Sequence, residues 1–350
     1  MRVSRRDFLK MAAAAAAAGR LAPSALAGLQ KRLLVEGGPR VIWLQGSGCD
    51  GCAISFLNSV HYATPDDLLL NTLDVEFQSN LMAATGDLAV SAAEAAGAEP
   101  GYVLVVEGAI PTGAAGKYCT LWPGMTMHDA LLSFSQNAGF IVALGACASY
   151  GGVTGGAPNP TDAFGVGGIL GVDDRLINLP ACPAHPDWLV GTIVYLITNE
   201  HAPPLDAHRR PLEFFGKRIH DNCHNRREYC GQGITFAEQL SDEGCMELLG
   251  CKGKKTYSDC PMRKWNSSGP GEYGVNWCIG AKSPCLGCVQ PDFPDGMSPF
   301  YVYSPTPEKA GEPEGEVSAQ RSVGADGKQS TIRSGNPHTE EGISGDDDHN

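Results

Sequence analysis

The positions of the cysteines constrain the fold of this 350-residue chain more than any other feature of its sequence. Two of the thirteen cysteines, Cys49 and Cys52, lie in the glycine-rich stretch WLQGSGCDGCAIS (43–55), directly after an apolar run. Cys49-x2-Cys52 alone is compatible with a disulfide, a redox dithiol, a zinc site or an iron-sulfur site. An odd number of cysteines does not suit complete disulfide pairing. A chain that is 43% hydrophobic also has enough core to fold without a disulfide framework.

Short apolar runs recur along the first 200 residues and indicate the fold class. They are VIWLQG (41–46), YVLVVEG (102–108), FIVALGA (140–146) and RLINLPA (175–181). Apolar runs of this length, each ending in glycine or a turn, are typical of strands buried on both faces of a parallel sheet, with helices such as 187–199 packed against it. The sequence therefore predicts an α/β fold, and we place this sheet domain at residues 28–200.

Four cysteines directly follow three of the predicted strands. They are Cys49, Cys52, Cys147 and Cys182, while Glu107 ends the remaining strand. In open parallel sheets, ligands bind outside the carboxyl ends of the strands. We therefore expect the four cysteines to converge at one edge of the sheet, with Glu107 nearby.

From residue 201 to 303 the chain consists of short segments rich in Gly, Pro, Cys and charged residues, with little periodicity. Such a region lacks a conventional core, and metal ligation commonly replaces one. It contains eight further candidate ligands: His220, Cys223, Cys245, Cys251, Cys260, Cys278, Cys285 and Cys288. With the four at the sheet edge they make twelve, or three groups of four. Zinc accepts such ligand sets too, but ligands spread singly over loops favour cubane iron-sulfur clusters.

The N-terminus resembles an export signal. Ser4-Arg5-Arg6-Asp7-Phe8-Leu9-Lys10 precedes an alanine run and the cleavage pattern Ala25-Leu26-Ala27, which indicates a twin-arginine signal peptide over residues 1–27. That route carries folded protein, often with its cofactor already inserted. We therefore predict a periplasmic location. No later apolar stretch reaches the roughly 18 to 20 residues that cross a bilayer, so we expect no transmembrane anchor.

The charge of the chain limits its partners. A net charge of −13 argues against nucleic acid and suits a basic protein or a small uncharged substrate. Residues 304–350 contain mostly Gly, Ser, Pro, Glu and Asp, and we predict a disordered acidic tail.

Taken together, several stretches resemble the small subunit of periplasmic nickel-iron hydrogenases over residues 40–303. They are the cysteine turn, VEGAIPTG (106–113), GACASYGG (145–152), CPAHPDW (182–188), His220-x2-Cys223, GCKG (250–253), DCPMRKWN (259–266) and CLGCVQPDFPDGMSPFY (285–301). The resemblance implies a flavodoxin-like first domain followed by an irregular domain, with three clusters in a chain.

The resemblance also assigns the ligands. It implies a proximal 4Fe-4S cluster on Cys49, Cys52, Cys147 and Cys182, and a distal 4Fe-4S cluster on His220, Cys223, Cys245 and Cys251. The medial cluster would take Cys260, Cys285 and Cys288. Most of the family has proline in place of Cys278 and a 3Fe-4S cluster, whereas NWC (276–278) and KYC (117–119) resemble the nickel-iron-selenium branch, in which the fourth cysteine completes a 4Fe-4S cluster.

A catalytic function would then depend on a partner. In this family the nickel site lies on a separate large subunit, where hydrogen is split, and the electrons pass through proximal, medial and distal clusters. The lack of a C-terminal membrane helix points to a soluble acceptor, for which we expect a multihaem cytochrome c whose basic surface suits this acidic chain. This chain itself would carry no catalytic residue.

Some alternatives remain open on the sequence alone. A stand-alone exported iron-sulfur carrier needs no large subunit, and a quinone-reductase subunit shares the first domain and a similar cluster. Cys278 could be a buried free thiol, and we interpret Cys119 and Cys230 as non-ligands. Asp50 replaces the family's usual small hydroxyl residue, and its charge would shift the proximal potential. Gly51 and Gly152 stand where the oxygen-tolerant branch has extra cysteines, which predicts ordinary oxygen sensitivity.

Overall fold

The computed structural model describes residues 38–227, 235–269 and 271–303, and two short strands at 320–323 and 329–332. The predicted signal peptide (1–27) and Cys230 lie outside the described residues. Within the predicted acidic tail, the structure describes only an antiparallel hairpin, Gln320–Val323 with Gln329–Ile332.

A five-stranded parallel sheet forms the centre of the first region. Its strands are β1 Arg40–Gln45, β2 Asp74–Gln78, β3 Tyr102–Glu107, β4 Ala138–Leu144 and β5 Leu176–Leu179. They lie in the order 2-1-3-4-5, and every neighbouring pair is parallel. This is the strand order of flavodoxin-like sheets. The predicted α/β fold class is confirmed.

Helices pack on the sheet, and further short helices lie in the second region. They are α1 Gly51–Phe56, α2 Pro65–Asp67, α3 Asp87–Ala98, α4 Met127–Phe134, α5 Gly145–Tyr150, α6 Gly152–Gly155, α7 Val166–Leu170, α8 Pro186–Asn199, α9 Leu212–Phe215, α10 Ile219–Asn222, α11 His224–Arg227 and α12 Cys260–Arg263. A π-helical turn follows α2 at Leu68–Thr72, and 3-10 turns occupy Gly113–Gly116, Met246–Leu249 and Asp295–Met297. Two-stranded pairs join Ile110–Pro111 to Ala163–Phe164, Thr120–Trp122 to Met125–Thr126, and Trp265–Ser267 to Gly274–Asn276.

The apolar strands are buried on both faces, as their composition predicts. Alternate residues of each strand point to opposite sides of a sheet. On one side, Trp43 and Val105 pack in a hydrophobic cluster with Trp188 of α8. On the other, Leu44 and Leu104 join a cluster that includes side chains of α3 and α4. These two hydrophobic clusters cover the two faces of the sheet.

The edge strand β2 was not predicted from the sequence. Its sequence DVEFQ alternates polar and apolar residues and lacks the continuous apolar run of the central strands. Asp74 is exposed, whereas Phe77 is buried. An edge strand needs only one side packed, so it gives a weaker signal than the buried strands beside it.

A buried arginine, Arg263, connects the irregular region to the sheet region, and a second, Arg210, joins two segments of the irregular region. Arg263 of α12 donates from Nε to Asp259 Oδ2 at 2.7 Å and from Nη1 to Asp187 Oδ2 of α8 at 3.2 Å. Arg210 donates to the backbone oxygen of Val289 at 3.0 Å and to Gln290 Oε1 at 2.9 Å. The bond from Arg263 to Asp187 fixes the irregular region against the sheet region.

We expect the substitution Arg263→Met to lower the free energy of unfolding by about 3 kcal/mol, because it leaves two buried carboxylates without their cation. Guanidinium denaturation followed by circular dichroism measures the change. Arg226→Met provides the control, since Arg226 pairs with Asp221 at 2.8 Å on the surface and its loss should cost less than about 1 kcal/mol. Equal losses in the two variants would contradict this account of the connection.

Candidate iron-sulfur centres

The register of the sheet brings the first four cysteines to one edge. Gln45 pairs with Glu107, Glu107 with Leu144, and Leu144 with Leu179, so these residues form one row across β1, β3, β4 and β5. Each predicted ligand pair or single ligand follows this row within a few residues. The parallel arrangement therefore delivers Cys49, Cys52, Cys147 and Cys182 to the same side of the molecule.

Glu107 holds the first cysteine turn in place. Its Oε1 accepts the backbone N–H groups of Cys52 at 2.9 Å and Ala53 at 3.1 Å, and its Oε2 accepts the indole N–H of Trp43 at 3.1 Å. The side chain is only 3% exposed, and burial raises the pKa of its carboxyl group above the ordinary value. Asp50 precedes α1 in a left-handed conformation (φ 59°) and accepts a hydrogen bond from Gln45 Nε2.

The other two sheet-edge cysteines approach the same turn. Gly145, at φ 88°, lies so close that a Cβ atom there would be 2.5 Å from the Sγ of Cys52. The N–H of Ala184 donates to Cys52 Sγ at 3.4 Å. Burial raises the pKa of the Cys52 thiol, and the charges of Glu107, Cys147 and Cys182 raise it further. The pKa of Cys182 is raised by burial and then by Cys147 and Cys49. The four predicted proximal ligands thus interact with one another.

The predicted medial ligands form a second group, and Cys278 belongs to it. Burial raises the pKa of the Cys260 thiol, with added repulsion from Asp259, Cys288 and Cys278. Burial likewise raises the pKa of Cys288 to about 12, and Cys278 again contributes. The structure therefore places the side chain of Cys278 within electrostatic reach of two other predicted medial ligands.

A residue that the sequence analysis did not single out also contacts this group. Ser258 Oγ lies 3.1 Å from Cys260 Sγ. In the first group, Thr154 Oγ1 lies 3.9 Å from Cys147 Sγ in the same way. Both side chains can hydrogen-bond to the sulfur of a predicted ligand, and such bonds would tune the potential of a bound cluster. Isolated hydroxyl residues give no pattern in a sequence from which to predict such a role.

All four predicted distal ligands line one cavity. Its walls include His220, Cys223, Cys245 and Cys251. Burial raises the pKa of Cys251 to about 11, with contributions from the other two thiols. Burial lowers the pKa of His220, and Arg226 and Lys254 lower it further, so the imidazole is neutral at pH 7. Neutral imidazole is the form that binds metal.

The three groups lie in series. Cys182, in the first group, lies close enough to Cys288, in the second, for its charge to raise the pKa of that thiol. The N–H of Cys285, in the second group, donates to Cys251 Sγ, in the third, at 3.4 Å. The order sheet edge, medial group, distal group is therefore a property of the tertiary structure.

The state of the cysteines bears on one kind of site that the sequence left open. The twelve cysteines among the described residues are all unpaired, which removes the disulfide interpretation for them.

Two residues outside these groups have structural positions. Cys119 packs against the hydrophobic cluster on the α3–α4 side of the sheet. His185 caps α8: its Nδ1 accepts the N–H of Asp187 at 3.1 Å, and its Nε2 lies 2.6 Å from the backbone oxygen of Lys264. Burial lowers the pKa of His185 to about 4.

This buried histidine predicts a loss of stability in acid. The unfolded chain takes up a proton at the ordinary pKa near 6.5, whereas the folded chain resists it down to about 4. Stability therefore falls as the pH decreases from 6.5 to 4, by up to about 3 kcal/mol from this residue. We expect His185→Asn to flatten the pH dependence of Tm in this window. His201→Asn, at an exposed position, should leave the slope unchanged, and equal slopes in both variants would contradict the prediction.

Two family models match the chain. The model for the C-terminal part of NiFe/NiFeSe hydrogenase small subunits matches residues 215–301, and that for the 20 kDa subunit of NADH ubiquinone oxidoreductase matches residues 49–196. The first covers most of the irregular region, and the second covers most of the sheet region. Between them, the two matches span all twelve candidate ligands.

Curated proteins and solved structures are similar over most of the chain. The periplasmic NiFeSe hydrogenase small subunit of Desulfomicrobium baculatum is 39% identical, covering 86% of this chain and 99% of its own. The periplasmic NiFe hydrogenase small subunit 1 of Nitratidesulfovibrio vulgaris is 38% identical, with 85% and 93% covered. The reduced, active NiFeSe hydrogenase of Desulfomicrobium baculatum superposes with a TM-score of 0.70 at 39% identity, covering 76% of this chain and all of that chain (100%).

Proposed function

Because the chain belongs to the family of nickel-iron hydrogenase small subunits, we propose that it relays electrons from a nickel-iron site on a partner large subunit to a soluble acceptor. The observation that carries the proposal is the series of three donor groups. The proximity of Cys182 to Cys288 and the hydrogen bond from the N–H of Cys285 to Cys251 Sγ connect the sheet edge to the cavity at His220. A series of this kind has a direction and two ends, as an electron relay requires.

Each group would hold one cluster. Cys49, Cys52, Cys147 and Cys182 would bind the proximal 4Fe-4S cluster. The distal 4Fe-4S cluster would be bound by His220, Cys223, Cys245 and Cys251. Cys260, Cys278, Cys285 and Cys288 would bind the medial cluster, of the 4Fe-4S type. The clusters supply one-electron chemistry when bound. Because burial raises the pKa of most of these thiols, we expect cluster insertion to release protons.

The sheet edge is where the large subunit would dock. Cys49 and Cys182 are exposed in this chain, and Ile54 and Leu57 of α1 are 58% and 41% exposed beside them. Exposed apolar side chains next to a functional group are typical of an interface that a partner covers. The exposed apolar side chains Ile54 and Leu57 therefore favour a heterodimer over a stand-alone carrier.

The quinone-reductase alternative accounts for only part of the chain. Its family model matches residues 49–196, whereas residues 215–301 match the hydrogenase small subunit model. The second region supplies the medial and distal groups, which extend the relay beyond the first cluster. We therefore assign the whole arrangement to hydrogen oxidation by the heterodimer, with residues 28–200 and 201–303 as its two domains.

The cellular setting follows from the same proposal. None of the helices among the described residues is both long enough and apolar enough to cross a membrane. We propose that the chain is exported in folded form by the twin-arginine route and acts in the periplasm. A multihaem cytochrome c is the proposed soluble acceptor.

Electron paramagnetic resonance of the anaerobically purified heterodimer tests the relay and the role of Cys278. We expect no oxidised 3Fe-4S signal in the native protein, signals from reduced clusters, and iron and sulfide contents that fit three 4Fe-4S clusters. Cys278→Ala should produce the sharp oxidised 3Fe-4S signal, because the medial cluster then loses the ligand of one iron. Its medial midpoint potential should change as well.

Cys119→Ala is the matched control, since Cys119 packs in the core apart from the three groups. It should leave the spectra unchanged. A 3Fe-4S signal already present in the native protein would show that Cys278 is not a ligand. Absence of iron from the purified protein would overturn the proposed function altogether.

A further inference from the structure

The end of the relay at His220 lies on a surface whose charge is opposite to that of the whole chain. Segments 217–226 and 245–255 together carry six basic and two acidic residues, while the chain has a net charge of −13. We define the cationic surface by the six basic side chains around His220: Lys217, Arg218, Arg226, Lys252, Lys254 and Lys255.

The backbone brings these residues together from two separate segments. The N–H of Ile219 donates to the oxygen of Thr256 at 2.8 Å, and the N–H of His220 donates to the oxygen of Gly253 at 3.0 Å. The N–H of Ser258 donates to the oxygen of Lys217 at 2.9 Å. Residues 217–220 and 253–258 therefore run side by side, and the cations of both segments flank the histidine.

The two acidic residues within the cationic surface are already neutralised. Asp221 accepts from Arg218 at 2.9 Å and from Arg226 at 2.8 Å, so this trio retains a positive charge. Glu247 pairs with Lys254. Lys217 and Lys255 are exposed and form no ion pair with any described residue. The surface around the relay's end thus remains net positive.

Two of the acidic residues that flank this surface, Asp242 and Glu243, are engaged locally. Glu243 pairs with Lys282, and Asp242 accepts the backbone N–H groups of Glu238 at 3.1 Å and Gln239 at 3.0 Å. Much of the chain's negative charge is elsewhere in the sequence, because residues 304–350 contain ten acidic and four basic residues. The net charge of the chain is therefore a poor guide to what docks at His220.

From this charge distribution we infer that the electron acceptor docks on the cationic surface through an acidic face that surrounds its own redox group. The inference rests on the proposed function and specifies its partner. A basic acceptor, which the net charge of −13 suggests, would meet like charge at the point of electron exit. Complementary charge at the point of exit raises the association rate, and like charge suppresses it.

Two single-haem proteins of opposite charge test the inference. The acidic soluble domain of cytochrome b5 and the basic mitochondrial cytochrome c are each supplied as the electron acceptor to the purified, cluster-loaded heterodimer under hydrogen. The kcat/KM for each acceptor is measured at low and high ionic strength. We expect cytochrome b5 to be the better acceptor at low salt and to lose that advantage as salt screens the surface.

Charge reversal locates the effect. In the double variant Lys217→Glu and Lys255→Glu, kcat/KM for cytochrome b5 should fall about tenfold or more at low salt, while that for cytochrome c rises. Lys255→Glu alone should have a larger effect than Lys117→Glu, which makes the same charge change at an exposed loop of the sheet region. A preference of the native protein for cytochrome c, or equal effects of the two single variants, would overturn the inference.

Isotope exchange between hydrogen gas and deuterated water, together with the cluster spectra, separates this inference from the proposed function. If the isotope exchange and the cluster spectra are intact and only the preference for acceptor differs from expectation, the docking inference alone fails. If neither protein is reduced and no exchange occurs, the proposed function fails.

The acidic tail is the competing occupant. The described stretch 271–303, after which the tail begins, ends beside this region, since the N–H of Val302 donates to the oxygen of Leu249 at 3.3 Å. Substituting Gln or Asn for the five acidic residues Glu340, Glu341, Asp346, Asp347 and Asp348 should leave the rate with cytochrome b5 within about twofold. A gain of more than about tenfold would show that the tail covers the surface, and the inference would be overturned.

Discussion

The hydrogen bonds of Glu107 hold the structure's first ligand turn against the sheet. One carboxylate reaches the backbone of Cys52 and Ala53 and the indole of Trp43, and so joins the end of β3 to the loop after β1 and to the core. Backbone hydrogen bonds between Ser47 and Ala109, at 2.9 and 2.8 Å, hold the start of the same glycine-rich turn. Because β1, β3, β4 and β5 are parallel and in register, one fixed turn sets where the other sheet-edge cysteines must meet.

Burial of the thiols is the second constraint, and it acts across both regions. Most of the candidate ligands have a raised pKa because they lie in low-dielectric surroundings, where a thiolate is disfavoured without a metal. The irregular region packs its small core around these same side chains, including Cys223 and Cys285. Its few regular elements give it little other apolar material, so cluster binding and folding of this region are expected to be coupled.

The two ends of the donor series present different chemistry to their surroundings. The sheet edge exposes cysteines beside the apolar side chains Ile54 and Leu57, which suits a permanent and largely apolar interface. The other end is ringed by charged side chains, which suits a transient partner that must arrive and leave quickly. A relay between a stable catalytic partner and a diffusing acceptor needs this asymmetry.

The sequence by itself determined the fold class, the strands that carry Cys49, Cys147 and Cys182, and the candidate ligands, because buried strands and cysteine spacing are local patterns. It missed β2, since an edge strand with one packed side gives a weak signal. Only the tertiary structure decided which ligands meet. The proximity of Cys182 to Cys288, the position of Cys278 near Cys260, and the pairing of residues 217–220 with 253–258 all join segments far apart in the chain. Such contacts depend on how the irregular region packs against the sheet, and no local pattern encodes that packing.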